Sequence, residues 1–218
     1  MNVTEHEAAL RYLTLEPDDF EPSAQYPLVV LLHGRGSHMG DLAGLAPGID
    51  SRGYVYVCPN APLLLDLGFG VTGYQWAPYP TERIEQAQAA VEMLAETVDE
   101  AMDTYEIEPG RLVIGGFSQG GVMSYVAGLQ QPDLYRGVAA MSSYIPVPDA
   151  MISMLPEERS QAIFVSHGTD DGLIPIKEGR EARRFLEDEG YSPDYREYPM
   201  GHEITSEVVS DLVRWLHS

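Results

Sequence analysis

A G-x-S-x-G pattern at residues 116–120 constrains the fold of this chain more than any other segment. It follows an apolar run at 112–115 and precedes a stretch with helical spacing. A serine between two glycines at a strand-to-helix junction is typical of the nucleophile elbow, a tight and strained turn that holds the hydroxyl above a sheet. Side chains at 116 and 120 would collide with neighbouring strand and helix, whereas glycine tolerates the approach. The pattern predicts Ser118 as a nucleophile, and hence a serine hydrolase.

Short β-branched runs alternate with helical periods along the rest of the chain. We expect strands at residues 9–15, 27–32, 54–58, 112–117, 137–141, 162–167 and 194–198, and helices at 81–105, 119–130, 176–189 and 204–217, the first capped by Thr81. This alternation predicts an α/β fold with a mostly parallel central sheet flanked by helices. The runs at 28–32 and 162–165 lack polar alternation, as in strands covered on both faces. A length of 218 residues suits one domain, 1–218.

One long connection, residues 60–80, interrupts this alternation. It is rich in proline and glycine, and it carries an apolar cluster that includes Leu65 and Trp76. Extended loops in compact domains are usually functional. We therefore predict a capping loop over an acyl pocket, in preference to a passive surface excursion.

Composition excludes several classes of partner. The net charge is −21, from 34 acidic and 13 basic residues, and Lys177 is the only lysine. Such a surface repels nucleic acid and anionic membranes, so we expect no nucleic-acid partner and no membrane insertion. The excess of carboxylates, with arginine favoured over lysine, suits a salt-adapted host.

Other features of the sequence predict a cytoplasmic location. The first residues lack a secretion signal, and no apolar run reaches the ~20 residues that span a bilayer. The single cysteine, Cys58, cannot form an internal disulfide and lies in an apolar run, which predicts a buried, unreactive thiol.

A serine nucleophile needs a base and a carboxylate that orients the base. In the predicted fold these follow the serine in the order acid, then histidine, each on a loop after a strand. Strand 162–167 leads into Asp170 and Asp171, and strand 194–198 leads into His202. The sequence pattern alone does not show which of the two aspartates is the catalytic acid. We expect one to point toward the histidine and the other to cap the following turn.

The other histidines are expected to play different roles. His33 and His167 each end a strand beside a glycine, and we expect both to bond loop backbone below the site. The remaining ones lie near the termini or in a polar loop: His6, His38 and His217. His202 alone follows the acid at a strand end, so it is the predicted base.

Two backbone N–H groups are needed to stabilise the oxyanion. One is expected from Gln119, the residue after the nucleophile, and the other from Arg35 in the His-Gly-x-Gly turn at 33–36. A phosphate-binding loop is excluded at 115–121 because the lysine of that motif is missing. No cluster has metal-ligand spacing, so we predict neither metal nor cofactor.

These motifs together resemble the phospholipase/carboxylesterase family of α/β-hydrolases, which includes bacterial carboxylesterases and acyl-protein thioesterases. The resemblance covers nearly the whole chain: Leu-His-Gly-x-Gly at 32–36, Gly-Gly-Phe-Ser-Gln-Gly-Gly at 115–121, Met-Ser-Ser-Tyr-Ile-Pro at 141–146, His-Gly-Thr-Asp-Asp-Gly-Leu-Ile-Pro at 167–175, and Gly-His-Glu at 201–203. It implies an α/β-hydrolase fold, and its H-G-x-x-D pattern assigns the catalytic acid to Asp171. Family members include dimers, so the resemblance leaves a homodimer open.

The chain departs from the family pattern in two places. The usual oxyanion loop is His-Gly-Leu-Gly-Asp, whereas Arg35 and Ser37 stand here; a charge at the edge of the site could alter substrate choice. The Trp-Phe-Asp common in the capping loop is replaced by Trp-Ala-Pro at 76–78, which predicts a reshaped acyl channel.

The resulting hypothesis is a serine carboxylesterase that hydrolyses short- to medium-chain esters through an acyl-enzyme, with Ser118, Asp171 and His202 as the triad. The predicted substrate contacts come from the capping loop and two later loops: Leu65, Trp76, Tyr144 and Leu173. A thioesterase, lysophospholipase or deacetylase are alternatives within the same chemistry, and a non-catalytic protein that binds a small ligand is the rival class.

Overall fold

The computed structural model describes residues 1–79 and 84–218. In that part of the chain, strands β1 to β10 run over Asn2–Glu7, Arg11–Glu16, Leu28–Leu32, Val55–Pro59, Leu63–Asp66, Thr72–Gln75, Leu112–Phe117, Tyr135–Met141, Ala162–Gly168 and Asp194–Tyr198. Helices α1 to α7 run over Gly40–Ala43, Ala46–Asp50, Glu85–Tyr105, Gln119–Gly128, Pro148–Met154, Ile176–Asp188 and Ser206–Leu216.

The main sheet has the strand order β1-β2-β4-β3-β7-β8-β9-β10. From β4 to β10 every neighbouring pair is parallel, whereas β2 pairs antiparallel with β4 and β1 antiparallel with β2. The mostly parallel sheet flanked by helices is therefore confirmed. Because these strands are parallel, the loops after β3, β7, β9 and β10 all leave from the carboxyl ends of the strands and lie at the same end of the sheet.

Strand β3 shows why its sequence is apolar without alternation. Leu28, Val30 and Leu32 pack into the core beneath α3 and α4. Val29 and Leu31 point to the opposite face and pack with residues of α1, α2 and α7. Both faces of the strand are thus removed from water, and a polar residue at any of the five positions would lie in a core.

The long helix α3 buries one stripe against the sheet, with Ala87, Val91, Leu94 and Val98 at the expected spacing. Its described part begins at Glu85, and the predicted start with Thr81 as N-cap lies outside the described residues. The other three predicted helices agree with α4, α6 and α7 to within two residues at each end. None of the described helices is long and apolar enough to cross a membrane.

The N-terminal strand β1 was not predicted, because its residues are almost all exposed and carry no apolar alternation. It is held by antiparallel pairing with β2, from Asn2 opposite Glu16 to Glu7 opposite Arg11. Backbone pairing at a sheet edge needs no buried side chains, so hydrophobic periodicity does not reveal it.

The predicted loop at 60–80 is, in its described part, a β-hairpin. Strands β5 and β6 pair antiparallel from Leu63 opposite Gln75 to Asp66 opposite Thr72. The turn between them has three consecutive residues with positive φ, Gly68, Phe69 and Gly70, and the Phe69 side chain is fully exposed. The segment therefore has regular backbone pairing, and its role as a cap over an acyl pocket stays a prediction.

Candidate active site

Ser118 lies in the turn between β7 and α4, with φ 56° and ψ −119°. This backbone conformation is unfavourable for a non-glycine residue and persists only when its surroundings impose it. A Cβ at Gly116 would collide with the backbone of Gly120, and a Cβ at Gly120 with the carbonyl of Leu32. The two glycines thus permit the turn that lifts the serine from the sheet.

Asp171 lies in the turn after β9 and is buried. Its Oδ1 accepts backbone N–H groups from Leu173 at 2.9 Å and Ile174 at 2.8 Å, and its Oδ2 lies 2.7 Å from Nδ1 of His202. Burial acts to raise the pKa of this carboxyl, but the hydrogen bonds outweigh it and hold the pKa below its ordinary value. Asp171 therefore stays ionised.

The neighbouring Asp170 is exposed, and its side chain accepts a hydrogen bond from Thr169. We expected one aspartate to face the histidine and the other to cap the turn, and this division is wrong. Asp171 does both, since one carboxylate oxygen caps the turn while the other faces His202.

His202 follows β10, and its ring lies 4.7 Å from that of Phe117. Because an ionised carboxylate only accepts hydrogen bonds, Nδ1 carries the proton that is donated to Asp171. The other ring nitrogen, Nε2, then carries a lone pair and can act as a base. His202 and Ser118 line the same cavity.

The two histidines predicted to bond loop backbone do so. Nε2 of His33 accepts the N–H of Ala61 at 3.0 Å, so its Nδ1 donates to the carbonyl of Gly34 at 2.7 Å. His167 is buried, and its Nε2 donates to the carbonyl of Ile174 at 2.8 Å, in the turn that holds Asp171.

The turn after β3 lies against the nucleophile: a Cβ at Gly34 would be 3.5 Å from that of Ser118. The hairpin fixes this turn, because Gly36 N–H donates to the carbonyl of Tyr74 at 2.7 Å and Tyr74 N–H donates to that of Ser37 at 2.9 Å. Among the described residues, no backbone carbonyl accepts from the N–H of Arg35 or Gln119. Their role as oxyanion donors stays a prediction.

The side chain of Gln119 does not reach for substrate. Its Oε1 accepts the N–H of Trp76 at 2.9 Å, and its Nε2 donates to the carbonyl of Ala77 at 2.8 Å. The start of α4 is thereby tied to the segment that follows β6. This clamp fixes the hairpin relative to the strained turn.

A cavity of about 210 Å³ opens above Ser118. Its lining includes most of the predicted site: Arg35, Ser118, Gln119, Tyr144, Leu173 and His202. It also includes residues that were not predicted: Gly34, Ser37, Asp41, Tyr79, Phe117 and Ile174. Phe117 and Ile174 are direct neighbours of predicted residues, whereas nothing in the sequence around Asp41 connects it with the site.

Two predicted substrate contacts lie elsewhere. Trp76 is fully buried in the core, where its Nε1–H donates to the carbonyl of His33 at 2.9 Å. Leu65 lies on β5, on the side of the hairpin next to Gly36, and does not line the cavity. Their assignment as pocket residues is corrected, since Trp76 packs in the core, Leu65 packs next to Gly36, and neither lines the cavity.

The parallel sheet with its helices on both faces, and a strained serine turn after a central strand, define an α/β-hydrolase. The sequence model of one family, described as phospholipase/carboxylesterase, matches residues 21–218. The chain belongs to this family.

Known proteins similar to this chain are esterases and thioesterases. Acyl-protein thioesterase 1 of Emericella nidulans is 26% identical over 213 residues, covering 86% of this chain and 88% of that protein. Carboxylesterase SOBER1 of Arabidopsis thaliana is 33% identical over 110 residues, covering 50% of this chain and 48% of its own length. The crystal structure of esterase PE8 superposes with a TM-score of 0.82 at 25% identity, covering 100% of this chain and 99% of that one.

Proposed function

We propose that this protein is a serine carboxylesterase acting through an acyl-enzyme. The observation that carries the proposal is one arrangement: a strained Ser118 and the Asp171–His202 pair meet at a single cavity. A histidine hydrogen-bonded to a buried aspartate would not by itself identify an enzyme, because structural networks contain such pairs as well. A serine held in an unfavourable conformation and a histidine with one free ring nitrogen, both lining one cavity, are the parts that nucleophilic catalysis requires.

In the first half-reaction, Oγ of Ser118 bonds to the ester carbonyl carbon while its proton passes to Nε2 of His202. The carbonyl oxygen becomes an oxyanion, and the N–H groups of Arg35 and Gln119 donate to it. When the tetrahedral intermediate collapses, the bond to the alcohol oxygen breaks and His202 returns the proton to that oxygen. The acyl group remains on Ser118.

In the second half-reaction, water attacks the acyl carbon and gives a proton to His202, which then reprotonates Ser118 as the acid leaves. Asp171 keeps its negative charge throughout, since its pKa lies below the ordinary value for aspartate. It orients the imidazole and stabilises the imidazolium that forms twice in each turnover.

The size of the cavity supports a short acyl chain. At about 210 Å³ it is smaller than the roughly 300–1,000 Å³ of pockets that hold drug-sized ligands. Its apolar wall includes Phe117, Tyr144, Leu173 and Ile174. We therefore propose esters of short- to medium-chain acids as substrates.

Replacing the nucleophile tests the proposal. Ser118→Ala should reduce hydrolysis of 4-nitrophenyl acetate by a factor of about 1,000 or more, because the acyl-enzyme cannot form. Circular dichroism and the unfolding midpoint should remain those of the wild type, since the substitution removes one oxygen. The matched control is Ser153→Ala, an exposed serine on α5, which should keep full activity.

A fluorophosphonate probe adds an independent measurement. It should label Ser118 in the wild type, and the label should disappear in Ser118→Ala. Turnover that survives in Ser118→Ala would refute the assignment. Absence of both labelling and turnover in the wild type would favour the rival class, a hydrolase fold that only binds a ligand.

A thioesterase is the second candidate, and the similarity to acyl-protein thioesterase 1 favours it. Ester and thioester react through the same tetrahedral intermediate, so the triad does not distinguish them. A panel of oxygen esters and thioesters with matched acyl groups of two to twelve carbons separates the two by kcat/KM. A cytoplasmic location and a homodimer remain predictions.

A further inference from the structure

Two side chains of opposite charge, besides His202, line the cavity above Ser118: Arg35 and Asp41. Arg35 follows Gly34 in the turn after β3, and Asp41 lies in α1. The rest of the lining is apolar or carries hydroxyl and amide groups. The position of each charge therefore bears on which substituents a substrate can carry.

The guanidinium of Arg35 is positioned by two neutral groups. Its Nε donates to Oε1 of Gln75 at 3.0 Å, and its Cζ lies 5.6 Å from the centre of the Tyr79 ring. In residues 1–79 and 84–218, no carboxylate lies within 4.0 Å of it. By contrast, Arg180 on α6 makes two hydrogen bonds of 2.8 Å to Glu197.

Among the residues that the structure describes, Arg35 thus lacks an acidic partner, in a chain with 34 acidic and 13 basic residues. A guanidinium is always charged, and its planar fork matches a carboxylate with two parallel hydrogen bonds. The Nε of Arg35 is already used, whereas its terminal nitrogens have no described acceptor among residues 1–79 and 84–218, and Arg35 lines the cavity. As far as this part of the chain is concerned, these nitrogens can bind an anion that enters with the substrate.

The backbone of Arg35 limits where that anion must lie. Its N–H is the proposed donor to the oxyanion, so the residue touches the reacting carbonyl at one end and carries a cation at the other. We propose that the enzyme prefers esters with a carboxylate a few atoms from the scissile carbonyl, which the Arg35 guanidinium binds. This inference rests on the proposed esterase function.

Asp41 has the opposite effect. Its Oδ2 accepts a hydrogen bond from Oγ of Ser37 at 2.7 Å, which holds the carboxylate at the cavity. It repels a substrate carboxylate, as does the net charge of −21, although salt screens charges more than about 8–10 Å away. Arg35 thus attracts the substrate carboxylate through a local contact, whereas Asp41 and the net negative charge of the protein repel it.

The experiment compares anionic esters with neutral esters of the same shape by titrating the acid released. In one arm the charge is on the acyl side: anionic monoethyl glutarate is compared with neutral ethyl glutaramate. In the other it is on the alcohol side, acetoxyacetate against acetoxyacetamide. At 20 mM NaCl, kcat/KM for the anionic ester should be about three to ten times that for the neutral ester in one of the two arms. At 0.5 M NaCl this ratio should fall toward one.

Variants assign the effect to the two charges. Arg35→Gln should lower the ratio by about three- to tenfold, Arg35→Lys should retain part of it, and Asp41→Asn should raise it. Arg52→Gln is the matched control, because Arg52 lies in the turn after α2 and not at the cavity. Its ratio should equal that of the wild type.

Each outcome separates the inference from the function on which it rests. Hydrolysis of ethyl glutaramate with ratios that Arg35→Gln and Arg35→Lys leave unchanged in both arms overturns the inference and leaves the esterase intact. Absence of hydrolysis of all four esters overturns the esterase proposal, and the inference falls with it.

Discussion

At the residue scale, the glycines beside Ser118 show how much of the site follows from sequence. Gly116 and Gly120 are required because any Cβ there would overlap backbone atoms of the neighbouring segment. That requirement is local and was predictable from the spacing G-x-S-x-G. The choice between Asp170 and Asp171 was not predictable from local physics, because adjacent residues differ only in where the folded turn directs them.

His33 is a residue whose burial has a consequence for stability. Burial lowers its pKa from 6.5 to about 4, outweighing the hydrogen bond to the carbonyl of Gly34 and the charge of Asp41, both of which raise it. Between those two pH values the unfolded chain takes up a proton that the folded chain does not. The free energy of unfolding therefore falls as the pH falls from 6.5 to 4.

We predict a slope of up to about 1.4 kcal/mol per pH unit from this one group. His33→Asn cannot take up the proton, so its stability should fall less steeply in that window, although it should be less stable at pH 7. Urea unfolding at pH 4 to 7 measures both curves. Asp171 adds to the pH dependence of the free energy of unfolding mainly below this window, since its pKa is lowered from 3.8. Parallel curves for wild type and variant would contradict the prediction.

At the scale of elements, the hairpin β5–β6 supports the turn that carries the proposed oxyanion donor. Gly73 on β6 lies directly against the carbonyl of Gly36, where a Cβ would overlap that oxygen. Hydrogen bonds between Gly36, Ser37 and Tyr74 join the two segments. The hairpin thus lies next to the site and also holds the turn at 34–37 in place.

Gly73→Ala should push Gly36 and displace Arg35 from the oxyanion position. We expect kcat to fall by about tenfold or more, since loss of one such donor costs roughly a factor of 100–1,000. Overpacking should also destabilise the fold by about 1–3 kcal/mol. Steady-state kinetics and urea unfolding measure both effects. Thr72→Ala, at an exposed position on the same strand, is the control. A wild-type kcat in Gly73→Ala would contradict the idea that the hairpin supports the turn with Arg35.

The segment around the hairpin contains two residues, Leu65 and Trp76, whose predicted contact with substrate was wrong. The loop at 60–80 was predicted to cap the cavity; Leu64 and Leu67 in it are exposed, whereas Tyr79 lines the cavity. Trp76 was expected to contact substrate but fills the core beside His33. Apolar composition does not state which side of a two-stranded ribbon faces inward, because that depends on long-range pairing with the turn at 34–37.

At the scale of the whole molecule, the alternation of strands and helices was sufficient to predict the central sheet. Strands β7 and β10 begin and end as expected, because each is a short run with clear turn signals on both sides. The strand order, with β3 between β4 and β7, is not contained in any local pattern. It arises from crossover connections that only the folded chain specifies.

The net charge of −21 is a property of the whole surface. Mutual repulsion among the carboxylates disfavours the compact state, and added salt screens it as the Debye length falls from about 30 Å at 0.01 M to about 3 Å at 1 M. We predict that the melting temperature rises by roughly 4–8 °C over this range, equivalent to about 2 kcal/mol. Scanning calorimetry in NaCl measures it, with sucrose as an uncharged control. A flat or falling melting temperature in NaCl would contradict the prediction and the idea of a salt-adapted host.

The position of β10 has a consequence for how the protein is made. This strand lies at the edge of the sheet and pairs only with β9, and the histidine of the site follows it. The ribosome releases the segment with Ser118 well before the segment with His202. Hydrolysis that depends on both residues cannot begin on a nascent chain until β10 and the turn with His202 have emerged and docked. The appearance of activity during synthesis or refolding would therefore time the docking of β10 against β9.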